Sequence, residues 1–203
     1  MTTSASLTGQ LAARLQGPQL QQLAGRLGSA PEQAQSAVQT ALPLLMGALG
    51  RNSRQAGGSD ALLGALQRDH AGSPDIGSLV GSLLGGTASG AQANGAGIVG
   101  HLFGAKAPQA AAGLGQATGL EPGKASQLLQ LLAPIVMAYL ARRFAGGDAA
   151  AGSQLGPALA QEQQHVTTGG AAGLLASVLD QDGDGQLGLG DVMKLGGSLF
   201  GKR

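Results

Sequence analysis

The chain has no cysteine and no tryptophan in its 203 residues, and only 2% of it is aromatic and 11% charged. Each scarcity removes a class of protein. Without cysteine there is neither a disulfide framework nor a thiolate zinc site. Twelve Lys and Arg stand against eleven Asp and Glu, so no one-signed field draws nucleic acid or an anionic membrane. Long apolar runs are missing as well. The most apolar stretch, 128–141, has 14 residues and includes Gln130 and Pro134. It falls short of the roughly 20 residues that a membrane helix needs. A buried helix is expected there, and no membrane span. Met1 to Leu7 lacks a basic stretch leading into an apolar run, so no signal peptide is expected and the cytoplasm is the expected compartment.

What is abundant is simple. Gly, Ala, Leu and Gln number 37, 36, 33 and 21, together 127 residues, or 63% of the chain. A mean hydropathy of +0.11 with net charge +1 disfavours a disordered charged tail. With so few aromatics, the core must rest on Leu, Val, Ile and Met. The expected class is all-α, with glycines punctuating the helices.

The chain contains an internal repeat. Shifted by 91 residues, Leu23–Arg51 aligns without a gap on Leu114–Arg142, and nine of 29 positions are identical. Shared Leu and Ala are cheap in this composition. Two prolines with the same spacing, Pro31 and Pro43 against Pro122 and Pro134, are not. Each copy reads as a short helix, a glycine stop and a longer helix. Gly28 and Gly119 suit left-handed C-terminal caps, and Pro31 and Pro122 suit the first turn of the next helix. Glu32 complements the dipole of that first turn. One apolar face runs through Ala34, Val38, Ala41, Leu42, Leu45 and Leu49, and its counterpart runs through Ala125, Leu129, Leu132, Ala133, Val136 and Leu140. Pro43 and Pro134 fall inside these helices and are expected to kink them. The fold expected is a pair of duplicated helical hairpins packed into a multihelical bundle.

Between and after the copies the signals weaken. Asp60 to Arg68 reads as a helix capped by Ser59 or Asp60, and Ser73-Pro74-Asp75 opens another that ends near Leu84. Gly85 to Gly97 reads as a flexible loop, and Ile98 to Phe103 as a small apolar segment. Ala145 to Gly173 reads as loose, with room for a short helix near Pro157 to Gln164. The division expected is a helical body over 1–145, a linker over 146–172 and a tail over 173–203.

That tail carries the one sharp chemical pattern. Residues 180–191 read DQDGDGQLGLGD, the spacing of an EF-hand calcium loop. Calcium is a hard ion that takes roughly six to eight oxygens, several of them anionic. Asp180, Asp182 and Asp184 occupy positions 1, 3 and 5, and Gly185 permits the turn at position 6. Gln186 offers its backbone carbonyl at position 7, a water serves beside Gly188 at position 9, and Asp191 takes position 12. Four of the chain's 11 acidic residues fall within these 12 positions. Carboxylates so close repel unless a cation joins them. Leu174, Leu175, Val178 and Leu179 would form the incoming helix, and Val192, Leu195 and Leu199 the outgoing one. Asp at position 12 is shorter than the usual Glu, so the expected calcium affinity is moderate or weak, with magnesium a competitor. EF-hand loops normally pair. A lone loop therefore packs on its own body or joins a second chain as a metal-linked homodimer.

The LGxxPxxA-like step of the repeat, the segment His101-Leu-Phe-Gly104 and the closing L-D-x-D-G-D-G…D…LFGK together resemble the YidB-like family of bacterial proteins, a domain of unknown function. The resemblance spans roughly residues 10–145 and the tail. It implies an all-helical fold and no known activity. The DxDGDGxLxxxD pattern is similar to the half EF-hand of dockerin modules, which also place Asp at position 12; dockerins carry two copies, and this chain carries one.

Other chemistry finds little footing. His70, His101 and His165 are too far apart for helical metal-ligand spacing. No GxxxxGK[ST] phosphate loop is present, and no GxSxG elbow has a credible His and Asp set. The other seven acidic residues form no evident catalytic pair, so an enzyme is not expected. The helix–Gly–helix unit also matches the outline of a DNA-binding helix-turn-helix, but its second helices carry Ala, Gln and Leu, with Lys124 alone near one start. The leading expectation is a non-enzymatic bacterial helical protein that binds calcium through 180–191. The alternative is a helical interaction or DNA-binding module in which the acidic segment is only a turn.

Overall fold

The computed structural model describes residues 6–69, 75–87, 94–145 and 152–168. Among them the chain is helical, with no strand. In order, the helices are α1 (Leu7–Arg14), α2 (Pro18–Leu27), α3 (Pro31–Ser53), α4 (Gly58–Asp69), α5 (Ile76–Leu84), α6 (Gly95–Phe103), α7 (Ala107–Thr118), α8 (Pro122–Phe144) and α9 (Leu155–Thr168), with a 3-10 turn at Gly104–Lys106.

The two long helices, α3 and α8, are 23 residues each and pack against one another at the centre. Every residue of the two expected apolar faces is buried. Burial extends beyond one face in their C-terminal halves: Leu44, Met46 and Ala48 are also enclosed in α3, and Ile135, Met137 and Tyr139 in α8. A helix covered on most sides needs partners all round. Helices α1, α2, α4, α6, α7 and α9 all pack on α3, and α2, α4, α5, α6 and α7 pack on α8.

Both long helices begin in the same way. Gly28 ends α2 at φ 57°, ψ 45°, and Gly119 ends α7 at φ 71°, ψ 12°, a left-handed region that a Cβ disfavours. Pro31 and Pro122 then occupy the first turns, and each helix continues through its internal proline, Pro43 or Pro134. Glu32 sits in the first turn of α3. Two side chains tie these helix starts together. Gln33 Nε2 donates to the carbonyl of Gly119 at 2.8 Å, and Lys124 Nζ donates to the carbonyl of Gly28 at 2.9 Å. Each long helix thus sends a side chain from its first turn to the glycine that ends the short helix preceding the other long one.

The minor elements depart from the sequence expectation in four places. An unforeseen helix, α1, opens the described chain, capped by Ser6 Oγ, which accepts from the N–H of Gly9 at 3.0 Å. Helix α4 begins at Gly58, so Ser59 is not its cap; Ser59 Oγ donates instead to the carbonyl of Ser53. Part of the expected 85–97 loop and the apolar segment after it are one helix, α6, whose cap Asn94 accepts from Gly97 N–H at 3.0 Å. Gly95 opens that helix because a Cβ there would run into the carbonyl of Gln130 on α8. Finally, the short helix allowed for near Pro157 to Gln164 is present but longer, the 14-residue α9, which lies along α3 with Leu155 and Leu159 buried. Asp75 does cap α5 as expected, accepting from the N–H groups of Gly77 and Ser78.

Candidate functional site

The loop proposed to hold calcium, with Asp180, Asp182, Asp184, Gln186 and Asp191, lies outside the described residues. His70 lies outside them too. Among the described residues no three His, Asp or Glu side chains gather in a group able to hold a metal ion. His101 is exposed on α6.

Two places in the body invite comparison, each where a short capped helix comes up to the C-terminal half of a long one. The first joins α8, α1 and α9. Glu162 of α9 is buried at 3% exposure, and its carboxylate accepts the N–H of Leu7 at 2.8 Å and of Thr8 at 3.0 Å. These are orphan donors of the first turn of α1, where a negative charge is also favoured by the helix dipole. Beside it, Gln10 Oε1 accepts from Tyr139 Oη at 3.2 Å and from Arg143 Nη1 at 3.1 Å. The Arg143 guanidinium lies 5.8 Å from the centroid of the Phe144 ring. Burial pushes the Tyr139 phenol above its ordinary pKa, against the pull of the Arg143 and Arg14 charges. Side chains therefore fill this junction.

The second place joins α3, α6 and α4, and it is open. A cleft of about 510 Å³ lies there. Leu49, Leu102 and Met137, all buried, line it, together with the half-buried Leu62, Ala65 and Ile98. Its polar lining comes from Asn52, Gln55, Asn94, His101 and Asp69. At the 91-residue shift, Ala48 and Asn52 stand where Tyr139 and Arg143 stand. Of this shorter pair, Asn52 lines the cleft. Sequence reasoning missed both places: Glu162 and Leu7 are 155 positions apart, and the cleft is formed only when residues 49–69 meet 94–102 and Met137.

One described helix, α8, is long and apolar enough to cross a membrane, but most of it is buried by neighbouring helices, the mark of a core helix. An all-helical body built round two buried 23-residue helices is the class to which the fold points. The chain belongs to a bacterial protein family of unknown function (DUF937), whose model matches residues 9–143, about two thirds of the sequence. That stretch runs from α1 to the end of α8; α9 follows it. No curated protein and no solved structure shows significant similarity to the chain.

Proposed function

We propose that this is a non-enzymatic protein whose helical body carries a single calcium loop at residues 180–191, and that the ion orders the C-terminal segment or a self-association. The spacing of Asp180, Asp182, Asp184, Gly185 and Asp191 carries this reading. The donor set suits a hard cation: four carboxylates, a backbone carbonyl at Gln186 and a glycine at the sharp turn. Once bound, the ion supplies positive charge that relieves the repulsion among those carboxylates. The body is read as a duplication. This is supported by the matching glycine caps and prolines and by the exchanged hydrogen bonds, since Gln33 and Lys124, like Gly28 and Gly119, are related by the same 91-residue shift. The helix-turn-helix reading ranks second, because α3 and α8 are enclosed by other helices and Lys124 is engaged with Gly28 within the fold.

Calorimetry with calcium and with magnesium tests the metal. The wild type is expected to give a saturable calcium heat that disappears in Asp180→Ala with Asp184→Ala; a wild type without heat sinks the reading. Light scattering with and without chelator tests the self-association, and a mass indifferent to metal removes it.

A further inference from the structure

We propose that the cleft between α3, α4 and α6 is a binding site for a small amphipathic molecule with an apolar body and a cationic head. The size comes first: about 510 Å³ lies within the range of pockets that take drug-sized molecules. Its lining comes next. Leu49, Leu102 and Met137 are 1%, 6% and 7% exposed and offer an apolar floor, while the polar groups of the lining are more exposed. An apolar body covers that floor and leaves a polar head among the amides and Asp69.

The cleft is a feature of particular side chains and not of the backbone alone. Where α1 approaches the end of α8, by contrast, Tyr139 and Arg143 both bond to Gln10 and fill the space. In the cleft the lining side chains of Asn52, Ala61 and Ala65 are short and leave the space open. Unfilled apolar space sacrifices contacts that a ligand restores.

Charge chooses the head. Among the described residues, Asp69 is the one carboxylate lining the cleft, and no Lys or Arg lines it. An ammonium gains a charge-assisted hydrogen bond at Asp69. A carboxylate or phosphate head meets the like charge of Asp69 and, with no Lys or Arg in the lining, has the imidazole of His101 as its basic neighbour.

The test uses the full-length chain with methionine methyl groups labelled for NMR, titrated with octylamine, octanol and octanoate, which share one tail. Met137 lines the cleft, while Met46, fully buried and outside its lining, reports on the fold. Octylamine is expected to shift the Met137 methyl saturably and leave Met46 in place. It is expected to bind about ten-fold more tightly than octanol, the size of one hydrogen bond to a charged group, and octanoate more weakly still. Asp69→Asn is expected to bring octylamine down to the octanol level. Ala65→Leu, which narrows the cleft with a good helix former, is expected to weaken all three ligands while Met46 and the melting curve stay as they are. No saturable shift at Met137, octanoate binding as well as octylamine, or an Asp69→Asn variant that binds like wild type would each overturn the proposal. None of these readouts depends on the calcium loop, so they hold or fail apart from it.

Discussion

The two junctions at the ends of the long helices differ in what fills them. Where α8 meets α1 and α9, a tyrosine, an arginine, two hydrogen-bonded glutamine contacts and a buried glutamate close the space. Where α3 meets α6 and α4, short side chains such as Asn52, Ala61 and Ala65 line about 510 Å³ of open space. The backbone at the two places is similar: each short helix begins with a polar cap that accepts from its third-position glycine, Gly9 or Gly97. Shortly after those helices, Gly17 and Gly104 take nearly the same conformation, φ 70°, ψ −130° and φ 55°, ψ −132°. A common frame can thus carry a solid joint in one place and a receptive one in the other, with side-chain volume making the difference.

The largest expected effect comes from emptying the filled junction. Tyr139→Ala removes a 6%-exposed aromatic and the hydroxyl that meets Gln10. Large-to-small core changes of this kind cost about 3–5 kcal/mol, the upper end applying where the site cannot collapse. Denaturant unfolding measures it. A loss well under about 1 kcal/mol would mean that Tyr139 fills nothing that matters, and the contrast between the junctions would break.

Glu162 comes next. Glu162→Ala leaves the N–H groups of Leu7 and Thr8 without their carboxylate, a loss of about 1–3 kcal/mol. Glu162→Gln keeps an acceptor and is expected to lose less. Amide exchange at Leu7 and Thr8 sharpens the reading: both should speed up in Glu162→Ala, while Gly97 on α6 should not change. Equal acceleration at both helices would point to global loosening instead of a local latch.

How far these features could be read from the chain depends on where their causes lie. Helices α3 and α8 announce themselves through proline at the start, a left-handed glycine before it and leucines at helical spacing, all local signals. Helix α6 conceals itself. Three glycines, 95, 97 and 100, sit in its nine residues and lower its intrinsic propensity. It forms because it docks on α8, with the backbone close enough at Gly95 to forbid a side chain. Helix α9 has Leu155 and Leu159 as buried apolar anchors, and its third anchor, Glu162, finds its partners at the opposite end of the chain. The cleft is harder still, since its walls come from four helices and several are merely alanines. The proposed calcium loop is the reverse case: its candidate ligands are neighbours in sequence, so the pattern is plain there, while the loop itself lies outside the described residues.

A smaller effect tests the two ties between the starts of α3 and α8. Gln33→Ala and Lys124→Ala each remove one exposed hydrogen bond to the opposite glycine carbonyl. Each is expected to cost about 0.5–1 kcal/mol, toward the low end because water replaces the lost donor. Near-equal losses, adding in the double variant, fit two independent ties. A cost from one substitution alone would show that the starts of α3 and α8 are alike in shape but not in energetics.

The smallest expected effect is a pH dependence that belongs to the filled junction alone. Burial raises the Tyr139 pKa from its ordinary value of 10.0 in the folded chain. The folded state therefore holds the phenolic proton to higher pH than the unfolded state does. The stabilising contribution is complete below the unfolded pKa and disappears as pH rises through the folded one. Tyr139 is the chain's single tyrosine, so ultraviolet absorbance reports its ionisation without interference. Titration of the folded protein should show a midpoint displaced upward from that of the urea-unfolded protein, and stability should begin to fall above about pH 10. In Tyr139→Phe the absorbance change is absent and this part of the alkaline loss should vanish, while the proposed binding of octylamine in the cleft is expected to stay as it was. A folded midpoint at or below the unfolded one would mean that the neighbouring Arg143 and Arg14 charges outweigh burial, and the junction would be wetter than its closed packing implies.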